Sequence, residues 1–584
     1  MKNMHLFHKS CFSVGIVWVA LTLVFAVGFK TLFPIRYGSL TGVHSWLSAS
    51  TLKYVNNWLE ETPGKLHYVN YESPDSIEFA TLEERWPYLS YPTGETFFVY
   101  GFAKLAGKAE IDLSFLKRLQ LGCFWTALLL FALFVYRFLV GNGVASEFGR
   151  AVPAFCTAWL WAWTPTSAWY LSNIYFADQC VIPFVMAFLL LEYECGMGRT
   201  KAATTILNIL KAGLVFAGVM IDHYFWILVF VAFLLHLIRS LRMGKSFWHT
   251  ALTSLWYVVP VGLALAVYAL QLLSVPGWCE ILMERFMLRG GFDGKEGNAL
   301  WSILFGLKLR FTESFGVTKC GWFRLVLIVA IAFYLWPKRA DGATGERGGG
   351  IRKCLFAFDK VVCGRNGSIV TLGFMAPILQ IVLFKQHSIV HEFSMQKLAW
   401  CVAMVPVLVA LLLWRQGFER GGKYPKTMPP NYLRCFLPSF VALLIVTDIP
   451  FSSRAFYLGH QNAKDDPEDF RLAELLHECA SHDDVFFSFS REIRDMPPHE
   501  LAISRKRVHR IDTAEELNTL FPNLPPHARK ILIIDKEAAD LTEGQLEEER
   551  ALSEDAEVFF EDDAFRMVVV VGPSAGAGGE GGAD

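Results

Sequence analysis

Long apolar runs separated by short polar stretches dominate the first 450 residues of the chain. A run of about 20 apolar residues is long enough for a helix to cross the hydrocarbon core of a bilayer. The pattern therefore predicts a multispanning α-helical membrane protein with about eleven transmembrane helices. The predicted spans are residues 13–33, 117–140, 150–170, 174–192, 205–221, 223–239, 250–273, 321–336, 368–384, 396–414 and 433–450.

The pattern changes after residue 450. Short β-rich runs at 485–489, 531–534 and 568–571 alternate with helical stretches around 514–520 and 544–551. This alternation predicts a small α/β domain over residues 451–572. A Gly- and Ala-rich segment, residues 573–584, is predicted to be a disordered tail.

Composition and charge divide the chain in the same way. Only 19% of its 584 residues are charged, against about a quarter in a soluble protein. Residues 451–584 hold 14 Lys and Arg against 29 Asp and Glu, so the preceding residues carry a net charge of +14 within a formal total of −1. A basic, apolar body fits a membrane and an acidic tail fits water, which argues against nucleic acid as a partner.

The loop charges predict an orientation. Lys2 and Lys9 precede the first apolar run and no small-residue cleavage site follows it, so this run is interpreted as a retained signal anchor with a cytoplasmic N-terminus. Lys and Arg then concentrate in the loops 239–245, 338–367 and 415–434, which fall on the cytoplasmic side. The long first loop, residues 34–116, and the C-terminal domain are expected to be extracytoplasmic in a bacterial-type inner membrane.

Three ionisable residues at the predicted outer boundary are candidate catalytic groups. Asp222 lies between two apolar stretches that together are too long for one crossing, so it is expected at a surface turn. Asp178 precedes another span, where it either caps the helix or takes part in catalysis. His44 begins an amphipathic stretch, residues 46–59, that is predicted to lie at the membrane interface. The alternatives are a polar hairpin tip for Asp222 and a solvated surface histidine for His44.

Cations at the outer ends of spans are unusual, because positive charge concentrates on the cytoplasmic side. Lys30, Arg118, Arg310 and Lys385 all occupy such outer positions. Snorkelling to the headgroups explains any one of them. Together they indicate an anion at the outer headgroup level, such as a lipid phosphate.

A short outer turn contains His387, His391 and Glu392. The spacing would hold a metal only if another loop supplied further ligands, and hydrogen bonding to a headgroup is the favoured interpretation. No cofactor is certain from the sequence, which is nevertheless compatible with a divalent metal.

The segment Ser90–Glu95, with Arg118 at the start of the next span, resembles the GT-C superfamily of membrane glycosyltransferases. The likeness is to the branch of protein O-mannosyltransferases and lipid A aminoarabinose transferases, whose first long external loop ends in a Tyr-Pro-Pro-Gly-like turn. Further matches are Pro165 followed by Asp178 and Pro183, and His391-Glu392-Phe393 before a span containing Pro406. The resemblance covers roughly residues 10–450 and places Tyr91 and Glu95 among the candidate substrate-binding residues.

The resemblance implies an inverting transfer of a sugar from a polyprenyl-phosphate donor to an acceptor on the extracytoplasmic face. A phosphate leaving group departs as a stable anion, so the site needs cations and one base for the acceptor hydroxyl. Arg118, Arg310 and Lys385 would hold the phosphate, and Asp222, Asp178 or His44 would act on the acceptor.

Two positions depart from the family pattern. Members usually carry an acidic residue shortly after the first span, whereas residues 33–58 contain none and His44 occupies about that place. Thr93 replaces the usual second proline of the turn. The missing acidic residue is a hint of an inactive relative that serves as a scaffold. A rival function of another class is a lipid or polysaccharide transporter with the tail as a binding module.

Overall fold

The protein was analysed as a computed structural model. It describes residues 2–31, 42–72, 82, 85–144, 146–197, 200–290, 306, 308, 310, 367–419, 449–462, 467–481, 483–490, 506–520, 524, 528–536 and 541–570. The expected spans 321–336 and, for the most part, 433–450 lie outside these residues, as does the predicted tail 573–584.

Helices form the described part of the body. In chain order they are α1 Lys2–Thr31, α2 Trp46–Glu61, α3 Gly94–Leu105, α4 Leu113–Gly141, α5 Glu147–Ala162, α6 Pro165–Asn173, α7 Ala177–Cys195, α8 Lys201–Ile221, α9 His223–Arg242, α10 Phe247–Leu273, α11 Trp278–Gly290, α12 Gly367–Leu383, α13 Lys385–Val390, α14 Gln396–Glu419 and α15 Ile449–Asn462. A two-residue antiparallel pair, β1 Asn70–Tyr71 and β2 Pro87–Tyr88, lies between α2 and α3.

Four of the described helices, α4, α8, α9 and α10, are long and apolar enough to cross a membrane. The pair α6 and α7 passes the same test jointly, with a bend of 107° between its halves, and would be a fifth. Shorter apolar helices cover Val14–Gly28, Ile369–Leu383 and Phe393–Leu408. A helical body with several apolar helices agrees with the expected fold class, while the number eleven stays a prediction.

The expected span 150–170 is not one helix. Helix α5 ends at Ala162, and α6 begins at Pro165, whose ring occupies the first helical turn where no backbone N–H is needed. The Thr164 hydroxyl donates to the Trp161 carbonyl (3.1 Å) and contacts the Ser167 hydroxyl (2.8 Å), which satisfies polar groups at the break. The chain bends again after Asn173, and α7 starts just before Asp178.

Helix α2 does not expose its apolar face to lipid, as an interfacial helix would. Thirteen of its residues are buried, and Trp58 is fully enclosed by protein. Its polar side chains have internal partners. The Asn56 amide donates to the Ile111 carbonyl at 3.0 Å, the Asn57 amide donates to the Tyr71 carbonyl at 3.1 Å, and Lys53 pairs with Glu72.

The chain after residue 467 forms a separate mixed sheet. Its elements are α16 Pro467–Cys479, β3 Val485–Ser488, β4 Val508–Arg510, α17 Ala514–Thr519, β5 Lys530–Asp535, α18 Glu543–Ser553, β6 Glu557–Glu561 and β7 Phe565–Val569. The strand order is β4-β3-β5-β7-β6, with β3 parallel to both β4 and β5 and the last two pairs antiparallel. Helix α16 and strands β4 and β6 have no counterpart among the elements predicted from the sequence. Apolar clusters cover both faces of the sheet.

A close backbone approach joins α3 to the end of α8. A Cβ atom added to Gly94 would lie 2.4 Å from the carbonyl oxygen of Met220, two residues before Asp222. Backbone atoms cannot rotate away as a flexible side chain can, so this position requires glycine. On the same helix, a Cβ added to Gly101 would have nothing within 4 Å.

We expect Gly94→Ala to lower the melting temperature of the detergent-solubilised protein, at a cost of about 1–3 kcal/mol for a forced overlap. Gly101→Ala is the matched control and should leave stability unchanged or slightly raised, because alanine favours a helix. Equal melting temperatures for the two variants would contradict the assigned packing.

Candidate active site

A buried lysine bridges two buried aspartates at the centre of the body. The Lys397 ammonium nitrogen lies 2.6 Å from Asp178 Oδ1 and 2.5 Å from Asp222 Oδ2, and the three side chains are 0–1% exposed. Burying one ion is costly unless opposite charge and hydrogen bonds surround it. The two carboxylates exceed the single ammonium by one negative charge, so this cluster is anionic by itself.

Helix N-termini hold the two aspartates. Asp222 caps α9, where its Oδ1 accepts the backbone N–H of Tyr224 at 2.9 Å. Asp178 lies in the first turn of α7. Because the helix dipole places partial positive charge at the N-terminus, both positions stabilise a carboxylate. Lys397 is the second residue of α14, where the helix dipole disfavours a positive charge. The negative charge that stabilises its ammonium group therefore comes from the two aspartates.

Asp222 is therefore not the surface hairpin tip that the sequence indicated. The predicted turn exists between α8 and α9, but it packs inside the protein because α3 and α14 cover it. Asp178 likewise lies inside the body, because the bend after α6 directs the start of α7 inward.

The turn before α3 brings a phenol and a guanidinium to the cluster. The Tyr91 hydroxyl donates to Asp178 Oδ2 at 2.8 Å. Arg289, near the end of α11, lies over the Tyr91 ring at 4.6 Å and donates to the Ser90 carbonyl at 3.0 Å. Arg289 is thus a second cation, separated from Asp178 by the Tyr91 side chain. With Arg289 included, the two aspartates and the two cations have a net charge of zero.

Glu95 lies deeper on the same turn and is not part of the ion-pair cluster. Its Oε1 accepts a hydrogen bond from the Thr51 hydroxyl of α2 at 2.6 Å. Burial raises the pKa of Glu95 to about 7, although the Thr51 hydrogen bond opposes that rise. The structure therefore places Glu95 as a link between α2 and α3.

His44 and His391 meet in a wall of aromatic rings beside the cluster. Their ring centroids are 5.4 Å apart, and each packs against Phe393, at 5.3 Å and 5.1 Å respectively. The Trp46 indole N–H donates to His44 Nδ1 at 3.3 Å. His44 adopts a φ of 61°, a left-handed conformation that is uncommon for non-glycine residues.

The predicted phosphate-binding cations take different positions. Arg310 is partly buried, and its Nε donates to the Ile389 carbonyl at 2.7 Å, next to the histidine wall. Lys385 begins α13 on the same side. Arg118 is exposed on α4, whereas its neighbour Lys117 is buried, so a role for Arg118 in phosphate binding stays a prediction.

The described residues do not provide a set of ligands for a metal ion. Within them, no group of three or more His, Cys, Asp and Glu side chains is placed to hold an ion. The backbone of Glu392 lies in a 3₁₀ turn, Glu392–Met395, and its side chain is outside the described part.

Sequence reasoning missed Lys397, Arg289 and the position of His387. Lys397 is the second residue of the predicted span 396–414. Like Lys385, it is a lysine at the outer end of a span, but the hydropathy pattern includes it in the apolar run and so does not single it out. Arg289 belongs to a loop region of mixed charge, so no pattern singled it out.

A second buried lysine provides a comparison outside this site. Lys211 of α8 pairs with Glu192 of α7 at 2.9 Å, and the Tyr257 hydroxyl of α10 donates to the same carboxylate at 2.8 Å. Here one cation faces one carboxylate, so the charges balance locally.

We expect Lys397→Met to destabilise the detergent-solubilised protein by about 3–5 kcal/mol, because two buried carboxylates lose their counter-ion. Adding Asp222→Asn should recover part of that loss in a double-mutant cycle of thermal unfolding. Lys211→Met combined with Asp222→Asn is the control pair and should be additive. Additivity for the Lys397 pair would contradict the bridge.

The raised pKa of Glu95 predicts a pH dependence of stability. A carboxyl group that binds its proton more tightly in the folded than in the unfolded chain stabilises the fold less as pH rises. We expect the wild-type protein to lose stability relative to Glu95→Gln between about pH 4.5 and about pH 7. Thermal unfolding of both proteins across that range tests this, and parallel curves would contradict it.

Comparison with solved structures finds likenesses of different strength to two proteins. ArnT from Cupriavidus metallidurans, solved bound to undecaprenyl phosphate, is 10% identical with a TM-score of 0.55 and covers 95% of this chain and 99% of its own. The archaeal oligosaccharyltransferase AglB from Archaeoglobus fulgidus, solved with an inhibitory peptide and a dolichol-phosphate, is 11% identical with a TM-score of 0.49, covering 89% of this chain and 69% of its own.

No protein-family model matches the chain, and no curated protein matches it in sequence. The likeness to ArnT extends over nearly the full length of both chains and concerns the fold. The resemblance that the sequence indicated is thereby confirmed at the level of the fold: this chain has a fold similar to that of ArnT.

Proposed function

We propose that this protein is an inverting membrane glycosyltransferase that moves a sugar from a polyprenyl-phosphate donor to an acceptor on the extracytoplasmic face of a bacterial-type inner membrane. The observation that carries the proposal is the buried Asp178–Lys397–Asp222 cluster, with Arg289 one side chain away. The similarity to ArnT, a structure with bound undecaprenyl phosphate, supports a lipid-phosphate donor.

The charges suit this reaction. An acceptor hydroxyl attacks the anomeric carbon, while the bond to the phosphate oxygen breaks and leaves its electron pair on the phosphate. Fixed cations stabilise charge that develops on the leaving group, and they are most effective in a site without bulk water. Arg289, Arg310 and Lys385 are the cations that we assign to the phosphate.

A carboxylate of the cluster is the proposed base. Because two aspartates share one lysine, one of them keeps an excess of negative charge that favours accepting the hydroxyl proton. Lys397 orients both carboxylates, and Tyr91 fixes Asp178. His44 is part of the aromatic wall and is assigned to the acceptor side.

A transporter is the rival function. A transport path needs polar groups along the depth of the bilayer, whereas the described titratable groups around Asp178 gather at helix ends. The Glu192–Lys211 pair is a second polar position inside the spans, so transport has to be tested directly.

We expect Asp222→Asn and Asp178→Asn to lower sugar transfer by about 100-fold or more, because removal of a general base costs that much. Purified protein would be incubated with undecaprenyl-phosphate-linked sugars labelled in the sugar, with membranes of the source cell as acceptor. Glu192→Gln, which alters a partly buried, lysine-paired carboxylate on the same helix as Asp178, should retain transfer.

The same preparation separates the two functions. Label that appears on an acceptor supports the transferase. Movement of intact lipid across reconstituted vesicles, with no transfer, would refute the transferase and support transport.

A further inference from the structure

Two histidine rings lie in succession beside the buried carboxylates. His387 of α13 and His391, which follows the helix, have ring centroids 4.7 Å apart and pack edge to face. His387 interacts electrostatically with Asp178, and His391 reaches the aromatic wall with His44. Both histidines are partly exposed, so the pair lies between the cluster and solvent-accessible surface.

Both rings have a buried nitrogen without a partner. Among the described residues, neither His387 Nε2 nor His391 Nδ1 has a hydrogen-bond partner. A buried polar atom without a partner carries an uncompensated desolvation cost, so each such atom calls for an explanation, of which a catalytic role is one. The unpartnered nitrogens leave both neighbouring rings able to exchange a proton.

Charged groups from several elements face the two rings. His387 faces Asp178 of α7, Arg289 of α11, Lys397 of α14 and its neighbour His391. His391 faces Asp178, Arg289 and also Arg310. Burial, with the nearby guanidinium of Arg289, holds the pKa of His387 well below its usual range, and burial likewise lowers the pKa of His391.

Both imidazoles are therefore neutral at neutral pH. A neutral imidazole accepts a proton at one nitrogen and can release one from the other, which a histidine fixed in the charged state cannot do. His44 is less suited to this task, because its Nδ1 already accepts the Trp46 indole N–H. Its edge-on contact instead holds the His391 ring in place.

We propose that His387 and His391 form a proton exit path that carries the acceptor's proton from the buried carboxylates to the edge of the site. This inference rests on the proposed transferase function and extends it. The two carboxylates are 0–1% exposed, so a proton that they take up has no direct contact with bulk water in this structure, and the histidine pair offers a path.

The proton balance of the path is complete. In the transfer step the acceptor oxygen bonds to the anomeric carbon, the sugar–phosphate bond breaks with its electron pair on the phosphate, and the hydroxyl proton passes to Asp178 or Asp222. The carboxylic acid then gives this proton to His387, which releases its other proton to His391, and His391 releases one to solvent. The new phosphate charge offsets the nearby cations, which makes the histidines better proton acceptors at that moment.

The test uses His391→Phe and His387→Phe in the full-length protein, assayed for sugar transfer from undecaprenyl-phosphate-linked sugars. Phenylalanine keeps a flat ring against Phe393 and removes both nitrogens. We expect turnover to fall roughly 100-fold with the donor KM unchanged, a shifted pH–rate profile, and recovery on addition of free imidazole. His391→Gln, which keeps a polar side chain, guards against a folding defect of the phenylalanine variant and should show the same loss and rescue.

His460→Phe is the matched control. His460 belongs to the same group of packed rings, stacking on Phe456 at 3.8 Å, but it is not next to the carboxylates. Its ring also contacts Trp169 and Tyr170, so this variant should retain turnover and gain nothing from imidazole.

Three outcomes would overturn the path: normal turnover in the His387 and His391 variants, a raised donor KM alone, or a loss that imidazole does not rescue. Absence of transfer by the wild-type protein under the same conditions would refute the transferase itself, and the path with it.

Discussion

One ammonium group shared by two carboxylates organises this protein. Lys397 of α14 contacts the starts of α7 and α9 through Asp178 and Asp222, so three helices distant in sequence meet at one point. The attraction between buried charges is strong because little water screens it. The same burial makes each charge costly alone, so the three groups stabilise the fold only together. The packing of α3 against the end of α8 and the bend between α6 and α7 both serve to bring these helix ends into register.

The arrangement links stability to chemistry. A cluster with an excess negative charge is a less stable ion pair than a balanced one, and the surplus is what a base requires. Arg289 compensates the surplus at a distance, through Tyr91, without contacting a carboxylate in the way that Lys397 does. A phosphate drawn to Arg289 would weaken that compensation and alter the proton affinity of every group nearby.

The sequence predicted part of this site and misplaced the rest. Asp178 and Asp222 could be identified because placing a carboxylate between apolar runs of a membrane protein has a high free-energy cost, so its presence requires an explanation. Their burial could not be predicted. A hydropathy pattern separates apolar from polar residues, but it does not show whether an apolar residue contacts lipid or the protein interior. The same ambiguity explains α2, whose apolar face was assigned to the membrane although it packs inside the body. The ring contacts of His44 and His391 join residues more than three hundred positions apart, a distance that no local pattern records.

Helix α7 carries an acidic side chain near each of its ends. Asp178 and Glu192 are fourteen residues apart, or about 21 Å along the axis, and each is tied to a lysine from a different helix. A helix held by an ion pair near each end cannot slide or rotate without separating at least one of the pairs. Helix α7 is therefore fixed to two neighbouring helices at two depths, and we expect any rearrangement of the body to move other segments relative to it.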